Sequence, residues 1–160
     1  MSLFRISGPG LCGDGFPGKT PASEPETEGL IKYLHSILER TKVYISFHSF
    51  SQLLMYPWGY TGTPVANDQR LGEIAKRAAE RLKSLYGIKY RTGPIATTIY
   101  RAAGTSLDYV HDAGVKYPFV FELRDVGVHG FALPKELIVP TAHETFEAVK
   151  VILEEAQKDG

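Results

Sequence analysis

The chain predicts an α/β layer fold, on three observations. Val43 to Phe47 and Tyr117 to Leu123 are short apolar runs without polar alternation, as expected of strands buried on both faces. Three longer stretches carry apolar residues at helical spacing. The two kinds of segment alternate along the chain, which places helices against a sheet.

Residues 1–22 are rich in glycine and proline and read as an irregular lead-in. Ser23-Glu24-Pro25-Glu26 has the form of a capping box, with Ser23 as N-cap and Glu26 three residues on. Leu30, Ile31, Leu34, Ile37 and Leu38 follow at helical spacing and predict a helix to about Arg40. After the first strand comes a turn of Ser, Gln, Gly and aromatic residues. Asn67 to about Tyr86 then carries Leu71, Ile74, Ala75, Ala78, Leu82 and Leu85, a second amphipathic helix starting at an Asn or Asp cap. Gly93-Pro94 interrupts Lys89 to Ile99, which reads as strand, turn and extended segment. Gly104-Thr105-Ser106 predicts a loop before one or two helical turns at Leu107-Asp108-Tyr109-Val110. Thr141 to Gln157 reads as a last helix, with a second capping box at Thr141 and Glu144 and with Phe146, Val149, Val151, Ile152 and Leu153 packing inward.

Composition excludes several classes of function. At 160 residues the chain is one domain's worth, and its 43% apolar content does not argue for disorder. A formal net charge of zero argues against electrostatic capture of nucleic acid or of an anionic membrane. No apolar run approaches a bilayer span, and Met1 to Ile6 lacks the pattern of a signal peptide. Cys12 is the only cysteine, which rules out an intrachain disulfide and taken alone favours a reducing or indifferent compartment.

Three residues stand out chemically. His48 ends the first buried run, where open α/β sheets place ligands, although a lone histidine at a strand end is ordinarily a hydrogen-bonded structural residue. Glu122 lies inside Phe119-Val120-Phe121-Glu122-Leu123, where a carboxylate is costly unless it is paired or lines a cavity. It reads either as an ion-pair partner of Arg124 or a lysine, or as a general base. Tyr100, before the small-residue loop Arg101-Ala102-Ala103-Gly104, reads as ordinary packing in a chain with nine tyrosines.

Five segments together resemble the zinc metallocarboxypeptidases of the carboxypeptidase A/B kind. They are Tyr44 to Gln52, Met55-Tyr56-Pro57-Trp58-Gly59-Tyr60-Thr61, Val115-Lys116-Tyr117, Phe119-Val120-Phe121-Glu122-Leu123-Arg124-Asp125 and Gly130-Phe131-Ala132-Leu133-Pro134. The resemblance runs from about Leu11 to Leu153 and corresponds to the C-terminal half of that family's catalytic domain. It implies a three-layer sandwich, with a mixed, mostly parallel central sheet flanked by helices, and assigns residues 23–160 to the C-terminal part of the catalytic domain. The implied activity is zinc-dependent hydrolysis of the C-terminal peptide bond of a peptide or protein substrate.

By the same resemblance His48 is a zinc ligand, Glu122 the general base, and Tyr100 a substrate-binding residue on a mobile loop. Leu107 takes the base of the specificity pocket, with Ile95, Ala102, Met55 and Val120 as walls and Ser49 as a further substrate contact. Because an apolar floor cannot pair a buried Lys or Arg, the implied preference is for aliphatic or aromatic C-terminal residues. The family's His-x-x-Glu motif, which supplies two more zinc ligands, does not occur in this sequence, so the zinc site is expected to be incomplete. Cys12 matches a family cysteine whose disulfide partner lies earlier in the domain, and is expected to be free. The parent family is extracellular. Without the first strands of the domain, one buried strand is expected to become an edge open to association. The alternative reading is an inactive, shortened paralogue that binds peptides or regulates.

Overall fold

A computed structural model describes residues 20–158 of the chain. Most of the 1–22 lead-in, with Cys12, lies outside the described residues. The elements in order are α1 (Pro25–Ile37) running into a 3₁₀ turn (Leu38–Arg40), β1 (Val43–Ser49), β2 (Leu53–Tyr56), α2 (Asp68–Tyr86), β3 (Arg91–Pro94), α3 (Ile95–Thr98), α4 (Ser106–Asp112), β4 (Tyr117–Leu123), a 3₁₀ turn (Lys135–Leu137) and α5 (Ile138–Lys158).

The sheet has the order β1-β4-β2-β3. The β1–β4 and β2–β3 pairings are parallel and the β2–β4 pairing is antiparallel, so the sheet is mixed and mostly parallel. Side-chain alternation sorts the strand residues into two layers. Tyr117, Phe119 and Phe121 of β4, with Leu54 and Tyr56 of β2, pack against Leu71, Ile74, Ala78 and Leu82 of α2 and Ala148, Ile152 and Ala156 of α5. Val120, Leu53 and Met55 point the other way, towards Ile95 of α3 and Leu107 of α4. Beside them Tyr44 of β1 meets Leu34 of α1 and Val110 of α4. Helices therefore cover both faces, the expected three-layer sandwich.

Several sequence expectations are corrected. Leu53–Tyr56, read as part of a turn, is a fully buried strand. Val43–Ser49 is a strand, but an intermediate-to-exposed one, because among the described residues it is hydrogen-bonded only to β4 and forms an edge. Ile95–Thr98 is a helical turn rather than an extended segment, entered from the extended residue Pro94. The first helix takes Glu24 as N-cap with Pro25 in the first turn, and the Ser23 hydroxyl donates to the Glu24 carboxylate instead of capping. Gly87, in the left-handed conformation, ends α2 by donating its N–H to Lys83 O at 2.8 Å.

The last helix begins three residues early, at Ile138. Thr141 is thus inside the helix, its hydroxyl donating to Leu137 O at 2.6 Å, and no capping box forms. Pro140 is tolerated because it falls in the first turn, where no N–H is required. Phe146 and Leu153, expected inside, are 60% and 43% exposed. The inward stripe consists of Ala148, Ile152 and Ala156, together with carboxylates that the apolar periodicity did not reveal.

Those carboxylates join α5 to α2 and β4. Glu155, 2% exposed, receives Arg70 at 3.1 Å, Arg77 and Lys158 at 2.6 Å. The Lys158 ammonium first, and then the two guanidiniums, hold its carboxyl below the usual range despite the burial. Arg81 clamps Glu147 through two nitrogens, at 2.6 and 3.0 Å. Glu144 is wholly buried and forms a two-armed pair with Arg124, just past the end of β4. Breaking a buried pair of this kind leaves an uncompensated charge, so Glu144→Ala is expected to destabilise the fold by about 3–5 kcal/mol. The double replacement Arg124→Met with Glu144→Leu should recover most of that loss. Urea unfolding of the three proteins measures both, and a Glu144→Ala loss below about 1 kcal/mol would show that the pair does not anchor β4.

Candidate active site

The register of β1 on β4 places His48 beside Glu122, and the register of β2 on β4 places Leu53 on the other side of Glu122. In register on parallel strands, the imidazole and the carboxylate share one face of the sheet. Glu122 is half-buried, and among the described residues it forms no ion pair. Arg124, its nearest basic neighbour in sequence, is taken up by Glu144. Desolvation pushes the Glu122 carboxyl above its ordinary value, and the nearby His48 pulls partly in the opposite direction. The exposed His48 has its Nε2 at 3.1 Å from Ser46 Oγ.

Both residues open onto a cavity of about 310 Å³. Met55, Val120, Ile95, Ala102 and Leu107 give it an apolar lining, and Tyr100 stands at its mouth. Leu107 is 2% exposed, whereas Tyr100 is 66% exposed on the α3–α4 connection. The cavity thus gathers His48, Glu122, Tyr100, Leu107, Ile95, Ala102, Met55 and Val120, which come from four separate stretches of the chain. Ser49 is the exception. Strand alternation turns it away from His48, and it is not among the lining residues. Ile99, Thr105 and Ser106 also line the cavity, and no motif in the sequence marked them.

One buried acid shapes the cavity without facing it. The Asp108 carboxylate accepts the Gly59 N–H at 2.8 and 3.0 Å through its two oxygens, and the Tyr60 N–H at 3.2 Å. Thr105 Oγ1 caps α4 by accepting the Asp108 N–H at 3.2 Å. The turn is fastened a second time where Ala102 N–H donates to Gly59 O at 2.9 Å. A Cβ on residue 59 would come within 2.6 Å of the Ala102 carbonyl oxygen, so the close approach requires glycine. In the sequence Gly59 and Asp108 appear only as members of their segments, with no role assigned to either. Their only local signals are a glycine in an aromatic turn and an acid beside a threonine cap.

Zinc is the metal that the chemistry of His48 brings to mind. Catalytic zinc keeps three protein ligands, and among the described residues no group of three His, Cys, Asp or Glu side chains could hold a metal. One imidazole beside one carboxylate does not amount to that site. Glu122 can exchange a proton with a group in the cavity, and the apolar lining can enclose an uncharged side chain.

Burial raises the Asp108 carboxyl above its ordinary value of 3.8, against the opposing pull of the Gly59 and Tyr60 N–H groups. For an acid whose folded-state pKa is raised, the stabilising contribution is complete below 3.8 and is lost as pH rises through the raised value. The stability advantage of the native chain over Asp108→Asn should therefore shrink as pH rises through that window. Denaturant midpoints taken across the pH series read this directly, and an advantage that grows with pH would contradict it.

The description "Zinc carboxypeptidase" belongs to a family model that matches residues 6–148. Mouse (Mus musculus) carboxypeptidase A2 is 44% identical over 154 residues, covering 94% of this chain and 37% of its own length. Human mast cell carboxypeptidase A is 45% identical over 141 residues, covering 88% of this chain and 34% of its own. Bovine thrombin-activatable fibrinolysis inhibitor, solved in complex with a tick carboxypeptidase inhibitor, superposes with a TM-score of 0.89 at 34% identity, over 93% of this chain and 54% of that one. Carboxypeptidase A from Helicoverpa armigera gives 0.88 at 26% identity, over 98% and 40%. The chain spans little more than a third of the length of these curated relatives. By sequence and by fold, it belongs to the zinc carboxypeptidase family.

Proposed function

We propose that this chain carries the substrate pocket and proton-transfer carboxylate of a zinc metallocarboxypeptidase that removes aliphatic or aromatic C-terminal residues. One observation supports the reading above all: an unpaired Glu122 of raised pKa lies beside His48 at an otherwise uncharged cavity that Leu107 helps to line. In this reading Glu122 accepts a proton from the attacking water and returns it to the departing amine. The elevated pKa suits both halves of that exchange. Tyr100 closes over the end of the substrate. The apolar walls take the final side chain and discriminate against a lysine or arginine, whose charge would be buried without a partner. His48 serves as one zinc ligand, with the others supplied from outside the described residues. We assign the working protein to the extracellular setting of its family. Among the described residues no helix is long and apolar enough to cross a membrane.

A second reading, an inactive peptide-binding or regulatory protein, draws on there being no three-ligand cluster among the described residues. Both readings predict selective binding. The chain should bind a short peptide ending in Phe at least tenfold more tightly than the same peptide ending in Lys, as read by titration calorimetry. Equal affinities would overturn the pocket assignment. The two readings part on catalysis. Refolding this chain with the portion of mouse carboxypeptidase A2 that lies outside the matched segment should give chelator-sensitive hydrolysis of the Phe peptide. Glu122→Gln should abolish that turnover. A folded, zinc-loaded complex without turnover would favour the regulatory reading.

A further inference from the structure

The cavity at Glu122 has two walls that are held in different ways. Met55 and Val120 form the sheet wall, and the β2–β4 register sets them opposite each other. Ladder hydrogen bonds fix their spacing. Ile95, Ala102 and Leu107 form the facing wall, on α3, the α3–α4 connection and α4. The apolar contacts between the two walls are non-directional and tolerate sliding, so they do not by themselves set the gap.

Directional bonds to one short turn do. Trp58-Gly59-Tyr60 lies just past the end of β2. Trp58 O accepts the Ala96 N–H at 3.0 Å, and Gly59 O accepts the Ala102 N–H at 2.9 Å. The Asp108 carboxylate takes the Gly59 N–H at 2.8 Å and the Tyr60 N–H at 3.2 Å. Each tie falls at or beside a residue of the facing wall, since Ala96 adjoins Ile95 and Asp108 adjoins Leu107. Asp108 alone makes its tie through a side chain, and it is 3% exposed. A carboxylate serves two N–H donors at once, whereas an amide in its place has one acceptor oxygen.

We propose that Asp108 is a positioning residue for substrate selection: by gripping the turn, it sets the gap between the two walls before a ligand arrives. The inference rests on the reading of this cavity as the pocket for the final side chain. Asp108 is not among the lining residues and acts through Gly59, Ala102 and Leu107. Rejection of charge and goodness of fit are then separate properties. The apolar lining rejects lysine whatever the gap. The carboxylate makes the gap right for an apolar side chain, so that binding requires no reordering of the wall. The coupling is reciprocal: if loosening the turn weakens the ligand, the ligand must tighten the loosened turn by the same factor.

Trp58, the only tryptophan of the chain, reports on the turn from within it, with Tyr60 at 5.4 Å and His111 at 5.0 Å between ring centres. Asp108→Asn should weaken binding of the Phe peptide about tenfold, equivalent to losing one hydrogen bond to a charged group, and leave the weak binding of the Lys peptide unchanged. In the free variant the Trp58 emission should move to longer wavelength, and saturation with the Phe peptide should return it to the native position. Ile152→Val, which weakens the core on the other face of the sheet, should change neither affinity nor emission. Should Asp108→Asn not fold, Asp108→Glu displaces the same two acceptor oxygens on a longer arm and is read in the same way. The native chain comes first: equal affinities for the two peptides there overturn the pocket reading itself, before any variant is made. With native selectivity in place, a variant that keeps its affinity for the Phe peptide overturns the positioning role alone. A shifted emission that the saturating peptide leaves unrestored overturns it equally, because the turn is then loosened without being coupled to the pocket.

Discussion

The arrangement depends on the burial of β4. This strand has hydrogen-bonded neighbours on both sides and helices on both faces, and its first five residues are buried. Phe119 and Phe121 lie in the α2–α5 layer, and the intervening Val120 lies in the cavity layer. With the aromatic residues fixed to one side, alternation leaves Glu122 only the other side. A slip of one residue would reverse every one of these assignments, bringing a phenylalanine to the cavity and the carboxylate to the apolar core. Core packing on one face is thus what aims the ionisable residue on the other.

The charges of the fold divide into two groups. Glu144, Glu147 and Glu155 are buried or nearly so, and each is matched by arginine or lysine. They join helices to each other and to the end of β4. Glu122 and Asp108 have no cation at ion-pair distance among the described residues, and desolvation raises both. Asp108 satisfies its oxygens with backbone N–H groups, whereas Glu122 keeps its oxygens for the cavity. The contrast separates carboxylates that hold the structure together from the one left available for chemistry.

Much of this was legible in the sequence, for identifiable reasons. The runs at Val43–Phe47 and Tyr117–Leu123, and the periodic stretches ending near Arg40, Tyr86 and Gln157, are long enough for their pattern to be unambiguous. The strand Leu53–Tyr56 was not, since four apolar residues between Gln52 and Pro57 carry no readable period. The break at Gly93-Pro94 suggested a turn followed by extended chain, yet the backbone closes a helical turn at Ile95–Thr98. Phe146 was expected inside because it is large and apolar, but alanines take the inward stripe of α5 and allow α2 to approach closely. At the site, residue chemistry singled out His48 and Glu122, and the family resemblance alone gave roles to Tyr100 and Leu107. The contact of Asp108 with Gly59 was not legible, because the two are 49 residues apart and nothing local reports a hydrogen bond between them. Ser49 was drawn in by its nearness to His48 along the chain, which in a strand means the opposite face.

Adjacent positions on α4 do unrelated work. Asp108 fastens the turn at Gly59 through the backbone N–H groups of Gly59 and Tyr60, and Leu107 presents its side chain to the cavity without contributing to that fastening. The frame of this cavity therefore does not rest on the side chain at position 107. Such a division lets the side chain at position 107 be exchanged while the loop geometry is held by its neighbour.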